Sequence, residues 1–221
     1  MDLESLISQI ISKPLFLRLK QNEENNYYHN HELTFDHLIK TKDIAQREVK
    51  GDFITNPDAK KLFLEFVGKD TYGLKKGDVM ILTALLHDIG KLLSIKENNQ
   101  LRPLKVADGE ITKFPGHEYW GSTIVSEFTR SLLPDEITKL IAQVIKLHDV
   151  FNETYFAQKS DWDHDTLLND VKSRAENLYK ESLFNIYCDC FTATPFQKAK
   201  EKIIQIFNDP NLYIEREYVI T

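Results

Sequence analysis

The chain has 221 residues, 28 Lys and Arg against 34 Asp and Glu for a formal charge of −6, and 42% apolar side chains. Such a composition excludes a disordered chain and can bury the core of one generous domain, residues 1–221. The acidic balance and the lack of a long basic run argue against an extended nucleic-acid-binding face, yet leave room for a local phosphate site.

Only 8 glycines and 7 prolines occur, too few for a sandwich with many tight turns. The pattern predicts an all-α single-domain bundle of seven or eight helices around one core. The start, Met1-Asp2-Leu3-Glu4, lacks the basic-then-apolar order of a secretory signal. The longest uncharged apolar stretch, about Val79–Leu86, falls far short of the ~20 residues that span a bilayer. The expectation is therefore cytoplasmic, with no membrane partner. On a helix, Cys188 and Cys190 point about 200° apart, so they read as buried thiols rather than a disulfide.

In chain order, Leu3–Lys20 reads as a helix interrupted near Pro14, followed by a polar loop over 22–30. An amphipathic helix over Thr34–Val49 stops at Gly51. Pro57–Val67 follows as a short helix with Leu62, Phe63 and Phe66 inward, and Gly77–Ser94 is the most apolar helix in the chain. Residues 95–115 form a long connection with a hairpin turn at Ala107–Glu110. Helices are then predicted over Gly116–Leu133, from Pro134 to about Val150, over Leu167–Ala193 and over Pro195–Phe207.

The chemistry sits on the buried faces. The apolar helix carries His87, Asp88 and Lys91 in its second half. A carboxylate there is costly unless paired or bound to a cation, and an imidazole beside it completes a donor pair for a divalent metal. Lys91, on the same face as His87, could neutralise a phosphate. Alone, the pattern also fits a buried His-Asp pair bridged by a lysine. Gly90 inside a helix costs about 1 kcal/mol relative to alanine, so something should approach closely there. His148 lies on the stripe of Ile141, Val144 and Ile145. His117 begins a stripe continued by Trp120, Gly121, Ile124, Val125 and Phe128. Asp189 is embedded in an apolar helix, and His37 shares a weaker face with Thr41, Ile44 and Ala45. Five segments each aiming a histidine or an aspartate inward suggest convergence on a positive group.

His37, His-Asp-Ile-Gly-Lys at 87–91 and Asp189 together resemble the HD superfamily of metal-dependent phosphohydrolases. The nearest likeness is to the HD domain attached to some bacterial tRNA nucleotidyltransferases, which also carry a glycine turn and a Gly-His-Glu segment, here Asp108-Gly109-Glu110 and Phe114–Gly121. The likeness covers about residues 27–193, and the polymerase head of those enzymes is absent. It implies His37, His87, Asp88 and Asp189 as ligands of one divalent ion, whether manganese, iron, cobalt, nickel, zinc or magnesium. His37 is preferred to His29 or His31 because it falls inside the helix. By the same likeness His117 and His148 either hold a second ion bridged by Asp88 or touch substrate, with the single ion favoured.

The function implied is hydrolysis of a small phosphomonoester or phosphodiester, such as a nucleotide or cyclic nucleotide, by a metal-activated water. Asp88 and Lys91 would be catalytic, Lys91 meeting a nonbridging phosphate oxygen together with His117 and His148, and Arg102, Lys105 and Lys113 would cover the substrate. The alternative is a catalytically silent HD module that binds a nucleotide or a partner. Asp161–Asp165 resembles the start of a calcium loop, but Thr166 and Lys172 stand where glycine and glutamate are needed.

Overall fold

Helix starts follow capping chemistry. Asp2 accepts from the Ser5 amide ahead of α1 (Leu3–Ile11), and Asn56 accepts from the Asp58 and Ala59 amides ahead of α4 (Pro57–Gly68). Each supplies an acceptor to amides that have no partner inside the helix. The computed structural model describes residues 2–26, 29–97, 100–103, 106–108, 111–191 and 197–214. After α1 come α2 (Pro14–Leu17) and a 3-10 turn at Arg18–Gln21, so the chain breaks at Pro14 as the sequence predicts.

The polar segment that follows is a short antiparallel ribbon, β1 (Glu23–Glu24) against β2 (Glu32–Leu33). Then come α3 (Thr34–Glu48) and, after Gly51 at φ +71°, α4. A small hairpin, β3 (Asp70–Thr71) and β4 (Leu74–Lys75), leads into α5 (Lys76–Leu86), whose residues from Gly77 on are almost all buried. Beyond it two hairpins form, β5 (Ser94–Glu97) with β6 (Gln100–Pro103) and β7 (Val106–Asp108) with β8 (Ile111–Lys113). The predicted turn residues Gly109 and Glu110 and the residue Lys105 lie outside the described residues, as do the side chains of Arg102 and Lys113. Helices α6 (His117–Thr129), α7 (Asp135–Leu147), α8 (Glu153–Gln158), α9 (His164–Ser173), α10 (Tyr179–Cys190) and α11 (Gln197–Phe207) complete the chain.

The fold is thus all-α, with α5 at the centre packed against α3, α4, α7 and α10. One apolar cluster runs from Leu6 to Leu212 and includes the fully buried rings of Phe16, Phe63, Phe128, Phe184 and Phe207. No helix among the described residues is long and apolar enough to cross a membrane. Cys188 and Cys190 are buried and free.

Four expectations need correction. The described residues hold eleven α-helices rather than seven or eight. One reason is that the stretch expected as a single helix over 167–193 is α9 and α10, parted by an extended Arg174 and a left-handed Ala175 at φ +51°. The apolar helix ends at Leu86 rather than Ser94. Asp88 leaves helical geometry at φ −105°, ψ 12°, and Ile89–Leu92 is a 3-10 turn. Trp120 departs from the buried stripe of α6 and is 37% exposed, because Gly121, Val125 and Phe128 take the inward positions.

Candidate metal centre

Six donors are brought to the centre by the ends of five helices. Helix α5 points its C-terminus inward, so His87 and Asp88 emerge where its ladder stops. His37 comes from the first turns of α3 and Asp189 from the last turn of α10. His117 opens α6, and His148 follows the end of α7 in a 3-10 turn over His148–Phe151. The crossing that sets α6 in place is a backbone contact: a Cβ on Gly90 would sit 1.9 Å from His117 O and 2.5 Å from Gly121 N. That close approach is the reason for glycine in the sequence His-Asp-Ile-Gly-Lys.

The imidazoles are oriented by carbonyls. His87 Nδ1–H donates to Ala84 O (2.9 Å), His117 Nδ1–H to Phe114 O (2.9 Å) and His148 Nδ1–H to Ile145 O (2.6 Å). A carbonyl can only accept, so each ring carries a proton on Nδ1 and turns Nε2 to the centre, as the donor atom for a cation that displaces any second proton. Two pairs of Nε2 atoms then face each other, His37 with His87 and His117 with His148, both at 3.2 Å.

Asp88 stands between the pairs with one oxygen toward each. Its Oδ2 is 3.5 Å from His37 Nε2 and 3.3 Å from His87 Nε2. Its Oδ1 is 3.0 Å from His117 Nε2 and 3.7 Å from His148 Nε2. Asp189 Oδ1 joins the first group, 3.0 Å from His37 Nε2 and 3.7 Å from His87 Nε2. Oδ1 of Asp88 is fully buried and accepts no hydrogen bond of good geometry, despite the nearby imidazole. Two pairs of ring nitrogens around an unsatisfied carboxylate oxygen need a positive charge between them, a proton or a cation. Donors about 2.1 Å from one tetrahedrally coordinated ion would stand roughly 3.4 Å apart, so these separations fit. Both His37–His87–Asp88 and Asp88–His117–His148 form sets that one ion could join.

Electrostatics match that reading. Burial would raise the Asp88 carboxyl, but Lys91 and the imidazoles of His87 and His117 outweigh it and hold the group well below the usual range. Burial likewise opposes ionisation of Asp189, and the His37 hydrogen bond and charge overcome it. For His87, burial disfavours protonation, yet Asp88 and Asp189 lift the imidazole to about 9. Within the second pair, His117 is raised by Asp88 against the effect of burial, whereas burial and the neighbouring imidazole push His148 down.

Lys91 is buried, its Nζ donating to Asp88 Oδ2 (2.6 Å) and to Glu24 Oε2 (2.7 Å). Sequence reasoning placed Lys91 here and missed Glu24, which sits in β1 and also accepts from Thr34 Oγ1 at 2.6 Å. It missed Glu32 and Asp149 as well. His29, weighed against His37 and set aside as a loop residue, is buried against that ring, centroids 4.6 Å apart, and its Nδ1 is 2.9 Å from Glu32 Oε2. Asp149 has Oδ1 3.5 Å from His148 Nε2 and Oδ2 4.0 Å from His117 Nε2. A second His-Asp dipeptide at 148–149 was the available signal for Asp149; Glu24 and Glu32 left none in a polar loop. His31, the other histidine weighed against His37, is exposed and pairs with Glu23.

A family model for the HD domain matches residues 34–183, about two thirds of the chain, and the chain belongs to that family. HD domains are generally metal-dependent hydrolases, and the matched span holds His37, His87, Asp88, Lys91, His117 and His148, with Asp189 just beyond it. No curated protein matches the chain.

Proposed function

We propose that this protein is a divalent-metal-dependent phosphohydrolase of small phosphomonoesters or phosphodiesters, nucleotides and cyclic nucleotides being the substrate class. The observation that carries it is the pair of facing Nε2 couples on either side of Asp88, with Oδ1 of that carboxylate unsatisfied. His37, His87, Asp88 and Asp189 would hold one cation, and Asp88, His117 and His148 a second. When bound, such cations supply Lewis acidity, easing deprotonation of water and neutralising charge on a phosphoryl group.

The remaining parts of the reaction fall to the chain. Asp88 fixes the spacing of the two donor groups because one rigid carboxylate serves both. The backbone carbonyls behind His87, His117 and His148 hold each Nδ1–H and so keep each Nε2 aimed inward. Lys91 is the group offered to a nonbridging phosphate oxygen: its ammonium can turn from Asp88 while staying paired with Glu24. His117 and Asp189, 16% and 25% exposed at the side chain, mark the open side on which substrate arrives. The finer likeness to nucleotidyltransferase-type HD domains rests on the residues 87–91 and 114–121, and a cytoplasmic setting is supported by two free thiols.

The test is metal-depleted protein reloaded with Mn²⁺ or Co²⁺ and assayed on p-nitrophenyl phosphate, bis(p-nitrophenyl) phosphate and a panel of mononucleotides and cyclic nucleotides. Turnover that requires metal and disappears in Asp88→Ala is expected. Tight metal binding without turnover on any ester would instead support a silent binding module, and a protein that cannot be loaded would refute both. The double variant His117→Ala, His148→Ala separates the ion counts. A fall from two equivalents to one supports two positions, and a constant single equivalent supports the one-ion expectation.

A further inference from the structure

Resting on the two-position reading above, we propose that Asp149 is a fourth protein ligand of the cation held by Asp88, His117 and His148, on its solvent side. Three observations converge on it. Asp149 belongs to the same 3-10 turn as His148, so its place is fixed by the element that positions that imidazole. Its two oxygens reach both second-group nitrogens, Oδ1 at 3.5 Å from His148 Nε2 and Oδ2 at 4.0 Å from His117 Nε2. And the buried Asp88 Oδ1, without a hydrogen-bonding partner, stands 3.0 and 3.7 Å from the same two nitrogens.

His117 is the shared member: it belongs to the group Asp88–His117–His148 and also to the group that holds Asp149, and the Asp149 carboxylate lies within 4.0 Å of both imidazole nitrogens. Glu118 lies nearby too, but its Oε2 is 3.4 Å from Nδ1 of His117, the nitrogen that already donates to Phe114 O. Glu118 shares a possible donor group with His117 and Asp149, yet its approach is to the ring nitrogen turned away from Asp88, which makes it the control for Asp149. Asp149 is the exposed member of the set, 46% against 4% for Asp88. It is consequently the ligand that an incoming phosphate oxygen would displace, while Asp88 and the two imidazoles stay in place.

The experiment is Co²⁺ titration of metal-depleted protein, followed by calorimetry and by the visible absorption of the bound ion, on wild type, Asp149→Ala and the control Glu118→Gln. Circular dichroism checks that each is folded, with Asp149→Asn as the substitute should Asp149→Ala fail. Wild type should take two equivalents. Asp149→Ala should bind one of them at least 10-fold more weakly with a changed absorption band, while Glu118→Gln stays within about 3-fold of wild type. Unchanged affinity and spectrum in Asp149→Ala, or an equal loss in Glu118→Gln, would overturn the assignment and leave the metal-centre reading standing. A wild-type protein that takes up one equivalent or none would overturn the two-position reading, and this ligand with it.

Discussion

Replacing Gly90 by alanine tests the backbone crossing that joins the His-Asp turn to α6. The added Cβ would meet His117 O at 1.9 Å, Gly121 N at 2.5 Å and the His117 carbonyl carbon at 2.8 Å, where ordinary contact begins at 3.4 Å. The two backbones must part by about 1.5 Å, and neither neighbour is a flexible side-chain end. Overpacking of this kind costs about 1–3 kcal/mol and sometimes more, and a backbone clash belongs at the upper end. At roughly 2–4 °C per kcal/mol for a chain of this size, the melting temperature should fall by about 6–12 °C. The same displacement carries His117 Nε2 away from Asp88 Oδ1, now 3.0 Å apart. Calorimetric Mn²⁺ titration should therefore show the cation at that position weakened more than the one at His37 and His87. A Gly90→Ala protein melting within 2 °C of wild type, with unchanged Mn²⁺ affinity, would show that the crossing does not set the centre.

Lys91→Ala should bind Mn²⁺ at least as tightly as wild type, since it removes a positive charge 2.6 Å from Asp88, while turnover falls roughly 100-fold. Loss of metal, or unchanged turnover, would contradict the phosphate role. The metal-free Lys91→Ala protein, with Asp88 and Glu24 buried and deprived of their shared ammonium, should lose about 3 kcal/mol by urea denaturation. The His87 imidazole is raised to about 9 in the metal-free fold from an unfolded value near 6.5, so the stability it contributes is complete below 6.5 and fades as pH climbs through 9. Metal-free protein should thus lose up to about 3 kcal/mol between those values, and cation affinity should rise over the same window because a ligand imidazole must be neutral. A flat stability profile would refute the raised His87. Asn208→Ala should cost about 2 kcal/mol in thermal unfolding, because its Oδ1 accepts from Thr55 N, Thr55 Oγ1 and Asn56 N at 2.7–2.9 Å and so ties the end of α11 to the start of α4.

Local spacing determined the helical class, the positions of most helices, and the inward placing of His37, His87, Asp88, His117, His148 and Asp189, though not of His29 or Asp149. Those features follow from the 3.6-residue period, from Pro14 and Gly51 as breaks, and from the cost of leaving polar groups on apolar stripes. The close approach at Gly90 was legible for the same reason: a residue costly in a regular element implies a neighbour that requires it. Boundaries set by tertiary contact were not legible. The apolar run through Leu93 gives no sign that the helix stops at Leu86, because the stop comes from α6 pressing on the following turn. Nor does the run 167–193 show the break at Ala175, a left-handed residue held by its packing.

Distances between helices lay wholly beyond the sequence, since a stripe says that a side chain points inward and not what it meets. Only packing divided the donors into two groups on the two oxygens of Asp88, 101 residues before Asp189 in the chain. Only packing brought Glu24 across 67 residues to Lys91, which turned a lysine read from its spacing to His87 into one shared by two buried carboxylates. Each donor's type is a property of the residue; which oxygen faces which nitrogen is a property of helix ends brought together.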